Sequence, residues 1–167
     1  MGIINIGLVV EKSYSFQSMG FVHGYPDHVS TKGTSAKALA AHLALLAAVP
    51  SRRTRAFVGT GEVSVEATAE AGRGGRCTHL AAEVALAMLR GNRARRWAFV
   101  AMATDGVDGD AGGGAWVDGR SLPTVRRLDA AIAAFDTGGL WEDNGTLIPR
   151  RPTGNNLRDL WARVVEP

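Results

Sequence analysis

"AGRGGRCTHLAAEVALAMLRGNRARRWAFVAMATDG", Ala71 to Gly106, sets a glycine and arginine turn, a helical period, a strand and an aspartate loop in direct succession. From Gly75 to Arg90 the apolar residues Leu80, Val84, Ala87 and Met88 fall on one helical face, and Gly91 stands where a helix stops. Trp97 to Ala103 is continuously apolar, as in a strand of a sheet covered on both faces. A helix feeding such a strand is the repeating step of an α/β domain.

The same alternation extends outward. "AKALAAHLALLAAV" carries Leu39, Leu43 and Leu46 at helical spacing, with His42 expected as a partly buried packing residue. "RAFVGTGEVSVEATAE" predicts two strands, Ala56 to Val58 and Glu62 to Thr68, split by a glycine turn, and the opening "MGIINIGLVV" predicts another. Beyond a glycine-rich loop, "SLPTVRRLDAAIAAF" predicts a helical pair, "TGGLWED" a short helix and "GTLIP" a strand. "LRDLWARVV" has a spacing that suits a strand or a helix. Residues 1–167 are therefore expected to form one domain, a three-layer α/β/α fold.

With 46% apolar residues, 21% charged residues and no apolar run of membrane-spanning length, the composition is globular and no membrane association is expected. A single cysteine, Cys77, and a start without a secretory pattern point to the cytoplasm. Net charge is +3, and all basic residues except Lys12, Lys32 and Lys37 are arginines, clustered in "SRRTR", "RGNRARR", "VRRL" and "PRRP". These clusters fall between periodic segments without interleaved aromatics, the pattern of solvated loop charge rather than of a nucleic-acid surface.

Three stretches could carry chemistry. Gly72, Gly74 and Gly75 allow a tight turn before a helix whose amino end favours anions, and Arg73 and Arg76 add forked donors for phosphate or carboxylate. The alternative is a glycine loop whose arginines face water. In "ATDGVDGDAGGGAWVDG", Thr104, Asp105, Asp108 and Asp110 follow a strand, where α/β proteins bind ligands. Aspartates there could hold Mg2+, and aspartate-glycine turns would use the same residues. In "RPTGNNLRD", Thr153, Asn155 and Asn156 present polar groups beside a glycine turn. Cys77 and His79, two apart on a helix, do not face each other as a nucleophile and base would.

Taken in order, "GTGEVSVE", "AGRGGRCTHLAAEVALA", "ATDGVDGDAGGGAWVDG" and "GTLIPRRPTGNNLRDL" resemble the MOFRL domain, the C-terminal portion of glycerate 2-kinases. The likeness runs from about Gly20 to Val165, is clearest from Gly59 onward, and matches residues 1–19 weakly. It implies a Rossmann-like three-layer fold with a mixed β-sheet, in which "LRDLWARVV" is a strand. It also implies a part in transferring the ATP γ-phosphate to D-glycerate, with Arg76 as the catalytic arginine that stabilises phosphoryl charge. Glu62, Thr104, Asp105 and Asp108 match positions that organise ligand or metal. Cys77 and His79 replace a customary asparagine and glutamate, and Asn155 and Arg158 replace threonine and asparagine. The family's larger N-terminal domain, with its catalytic lysine, is not in this sequence. The expected roles, in order, are one half of a split kinase with a separately encoded N-terminal domain, a binding module for a small acidic metabolite or nucleotide, and a homo-oligomeric scaffold. Nucleic-acid binding comes last.

Overall fold

The computed structural model describes residues 34–67, 71–91 and 96–167. In chain order these form α1 (Ala36–Ala48), β1 (Arg55–Gly61), α2 (Arg76–Arg90), β2 (Trp97–Ala103), β3 (Gly114–Asp118), α3 (Val125–Ala133), α4 (Thr137–Asp143), β4 (Leu147–Ile148) and β5 (Asp159–Val165). Ser35 caps α1 by accepting the Ala38 N–H at 3.1 Å, and the helix ends where Val49, extended ahead of Pro50, cannot continue it. Thr124 caps α3 in the same way.

The strands make one sheet in the order β1-β5-β2-β3-β4. Every pairing among the described strands is antiparallel, where the sequence led us to expect a mixed sheet. The reason lies in the last strand. β1 and β2 run the same way and would have paired in parallel, but β5 inserts between them, opposing both along seven residues each. The α/β class itself is as expected, and "LRDLWARVV" is a strand.

α2 lies across β2 and β3, with α1, α3 and α4 packed around it. Ala81, Ala82, Val84 and Ala85 are fully buried, and Leu80 and Met88 nearly so. Enclosed on almost all sides, α2 is a core helix rather than a one-faced surface helix. The face of the sheet beneath it carries Phe99, Ala101, Val117, Trp161 and Val165. Gly59 is required there, because the Trp161 indole lies where a β-carbon would project. The opposite face presents half-buried Ala98, Val100 and Met102 beside buried Leu160 and Ala162, an apolar surface of the kind a further layer covers.

Several local expectations change. The expected strand from Glu62 to Thr68 is not seen over its described part, residues 62–67, where Ser64 alone makes a bridge, to Ser35 before α1, while β1 runs through to Gly61. "SLPTVRRLDAAIAAF" gives one helix, α3, which ends at Ala134 before Phe135 turns left-handed at φ 51°. β3 emerges from what the glycines had marked as loop. His42 is exposed on α1 instead of partly buried, because Leu39 and Leu43 take the buried face. The expected opening strand lies outside the described residues. No described helix is long and apolar enough to cross a membrane.

Candidate functional site

The site forms where β1 ends, α2 begins and β5 starts. Arg76, the first residue of α2, directs its guanidinium to two carboxylates: Nε donates to Asp159 Oδ2 at 3.1 Å and Nη2 to Glu62 Oε1 at 3.2 Å. Asp159 is mostly buried, whereas the Arg76 side chain keeps 45% of its surface in solvent. Burial pushes the Asp159 carboxyl up, and the neighbouring Arg76 charge offsets that only in part. For Arg76, burial works against the charge, but Asp159 and Glu62 together outweigh it and hold the guanidinium more firmly protonated. Sequence reasoning missed Asp159. Its one signal was an acid at the mouth of an apolar strand, "RDLWARVV".

The amino end of α2 is already occupied by an anion of the chain's own. Asp108 reaches back from the loop after β2, with Oδ1 accepting the Cys77 N–H at 2.9 Å and Oδ2 the Thr78 N–H at 2.8 Å. It is 3% exposed. Gly75 fits because a side chain there would collide with that carboxylate, and Gly74 and Gly72 are crowded in the same way by Phe135 and Asp136. These glycines permit close approach of protein to protein. An anion bound on the α2 amides themselves, the simplest form of the sequence expectation, would have to displace Asp108.

Arg73 and Arg76 diverge. Arg73 Nη1 pairs with Glu142 of α4 at 2.8 Å, on an exposed surface beside an open groove of about 440 Å³ that also meets Ala111, Pro149 and Arg150. The two arginines of the turn therefore do not grip one ligand together.

Thr104 and Thr153 stitch two loops. Thr104 Oγ1 donates to the Arg158 carbonyl at 2.6 Å and accepts the Leu157 N–H at 2.8 Å, while Thr153 Oγ1 donates to the Thr104 carbonyl at 2.6 Å. Asn156 Oδ1 accepts the Arg158 N–H at 3.0 Å, and Asp105 Oδ1 accepts the Val107 N–H at 2.9 Å. Both Asp108 oxygens are committed to backbone amides and one Asp105 oxygen to a turn, so of these two aspartates only the second Asp105 oxygen is left to face a cation. Among the described residues no group of three or more His, Cys, Asp or Glu is arranged to hold a metal ion.

The residues that depart from the family pattern point inward or bend the backbone. Cys77 is buried, and burial first, then the Asp108 and Asp159 charges, pushes its thiol well up, away from the reactive thiolate. His79 packs on Phe135 with ring centroids 5.1 Å apart, its Nδ1 buried without a partner and its Nε2 3.9 Å from Glu83. Arg158 sits at φ 73°, a left-handed conformation that asparagine tolerates far better.

The family model described as the MOFRL family matches residues 55–159. Among solved structures, a glycerate kinase from Thermotoga maritima superposes with a TM-score of 0.65 at 22% identity, covering 89% of this chain and 37% of that one. A protein from Pyrococcus horikoshii superposes with a TM-score of 0.64 at 23% identity, covering 92% of this chain and 36% of that one. The chain thus spans little more than a third of the length of either structure. No curated protein matches it significantly in sequence.

Two outcomes test the inward-facing departures. Arg158→Asn relieves the left-handed strain and is expected to raise stability by about 0.5–1 kcal/mol in denaturant titrations; an equal or lower value places no strain there. Burial holds the His79 pKa in the folded chain below its ordinary 6.5. Between those two values the unfolded chain binds more protons, so this contribution to stability is complete above about pH 6.5 and shrinks as pH falls. The stability difference between His79→Phe and wild type should accordingly shift toward the variant from pH 7.5 to pH 5. A difference that stays flat over that range refutes the assignment.

Proposed function

We propose, from the fact that this chain belongs to the MOFRL family, that it supplies one side of a phosphoryl-transfer cleft acting on glycerate, with Arg76 as the group that meets the reacting anion. The observation that carries this reading is the Arg76 guanidinium itself, half in solvent and held in place by Glu62 and Asp159 at the junction of β1, α2 and β5. A guanidinium fixed on one edge by carboxylates, with its remaining surface in water, is preorganised to receive a carboxylate or phosphate oxygen. Glu62, the more exposed of the two partners, is the one an incoming anion would replace.

The remaining candidates support this group from behind. Asp108 fixes the start of α2 and so the root of Arg76, and the Thr104 and Thr153 bonds fix the loop leading to Asp159. ATP would supply the transferred phosphoryl group. No step is assigned to Mg2+, since both Asp108 oxygens and one of Asp105 are engaged by backbone amides. Phosphoryl transfer needs several charge-stabilising groups at once. Residues 1–167 span little more than a third of the structural neighbours' length, and a second domain would complete the cleft. A cytoplasmic location and a homo-oligomeric state remain parts of this proposal. The second reading, a module that binds an acidic metabolite without turnover, rests on the inward packing of Cys77 and His79 beside the site.

The purified chain with D-glycerate, ATP and magnesium is expected to release no ADP above background, and turnover of about 1 per second would overturn the need for a second domain. Arg76→Lys should weaken D-glycerate binding about tenfold or more, with only a small change in melting temperature, because lysine cannot hold the forked geometry. Unchanged affinity with a lower melting temperature would make Arg76 a structural tie between Glu62 and Asp159.

A further inference from the structure

At the other end of the β1-β5 pair the sheet buries cations without carboxylates. Arg163 is wholly buried on the helix-facing side of β5, and Arg55, also buried, lies diagonally across on β1. Phe57 stands between them, its ring centre 4.8 Å from the Arg163 guanidinium carbon and 5.8 Å from that of Arg55. Arg163 Nη1 donates to the Leu43 carbonyl of α1, and Arg55 Nη2 to the Val49 carbonyl just beyond it at 2.6 Å. Neither is in an ion pair among the described residues. Arg163 Nε, Arg163 Nη2 and Arg55 Nε are shut off from solvent with no hydrogen-bond partner among the described residues.

The orphaned atoms of Arg163 have a specific geometry. Nε and Nη2 form one edge of a guanidinium, the edge that takes a planar oxyanion side-on through two parallel bonds. The third nitrogen is tied to α1, which leaves that fork intact. A cation isolated from water is strongly unfavourable unless paired, and two close together more so, since each disfavours the charge of the other. Burial and the neighbouring Arg55 lower the Arg163 pKa to about 10, which still leaves Arg163 charged at neutral pH.

We infer that Arg163 and Arg55 form a binding site beneath α1 for a small planar oxyanion of the carboxylate type, held bidentately by Nε and Nη2 of Arg163 with Arg55 as the second cation. The site is distinct from the Arg76 cluster: Asp159 and Arg163 lie four residues apart on the same strand, one facing the start of α2 and the other α1. The site's role is to tie α1 to the sheet, since both arginines already hold carbonyls at and just after the carboxyl half of that helix.

Formate is the probe. The full chain is melted in a series where fluoride is exchanged for formate at constant ionic strength, and wild-type melting temperature is expected to rise by about 3–6 °C at tenfold excess over the dissociation constant. Arg163→Met removes the fork and the charge and should abolish the response, without loss of stability in formate-free buffer, because an unpaired buried charge is replaced by an apolar side chain of similar length. Arg55→Met, which leaves the fork in place, should weaken formate about tenfold and serves if the first variant does not fold. A wild-type melting temperature indifferent to formate overturns the proposal, as does an identical rise in wild type and either variant. Loss of D-glycerate binding on Arg76→Lys leaves the formate response untouched, so failure at one site does not imply failure at the other.

Discussion

The carboxylate of Asp108 on the first amides of α2 is the contact from which the site is built. Those amides lie at the positive end of a fifteen-residue helix, and a buried carboxylate accepting two of them satisfies both the donors and the dipole. The consequence is geometric. Because Asp108 belongs to the loop after β2, its bonds fasten that loop to a helix that precedes it in the chain, and the fit is close enough to exclude any side chain at Gly75. Arg76 is thereby fixed as the first residue of the helix, with its side chain thrown outward to Glu62 and Asp159. Remove the cap and the arginine loses its foundation, although no atom of Asp108 touches it in the hydrogen-bond network.

The sequence disclosed the elements better than their partners. α2 and β2 have the boundaries that periodicity predicts, since Gly75, Gly91 and the apolar run from Trp97 to Ala103 are local signals. α4 follows "TGGLWED" for the same reason. What no local pattern contains is that β5 enters between β1 and β2, turning an expected mixed sheet antiparallel. The glycines around β3 concealed a strand because a glycine-rich sequence reads as loop, whereas Gly114 is needed at φ 139° for backbone to approach β2 closely.

The site residues divide along the same line. Arg76 was legible because its place after three glycines at a helix start is a local feature, and the resemblance pointed to the same residue. The partner that holds it, Asp159, is 83 residues away in sequence, and nothing near it marks it as anything but the start of a strand. Likewise the glycine turn and the aspartate loop each looked like a ligand site when taken alone. Folded together, each satisfies the other: the aspartate is the anion that the turn was expected to bind. Two half-sites that complete one another use up much of the chemistry that either could offer to a ligand.

What remains after this cancellation is an uneven distribution of charge along β5. At its start one arginine has two carboxylates, so a ligand anion must compete with Glu62 and Asp159, and binding is an exchange of partners with little change in net charge. Four residues on, two arginines have none among the described residues, so an anion there would neutralise charge without displacing a carboxylate. The first arrangement suits reversible contact with a reactant, because a guanidinium already held by carboxylates needs little reorganisation to pass one edge to a new oxyanion. The second suits an ion that stays, since releasing it would return buried cations to an unpaired state. A single strand can thus present a surface for exchange at one end and a permanent tie at the other. Which residue is which follows from burial: Arg76 is half in water, and Arg163 is entirely enclosed.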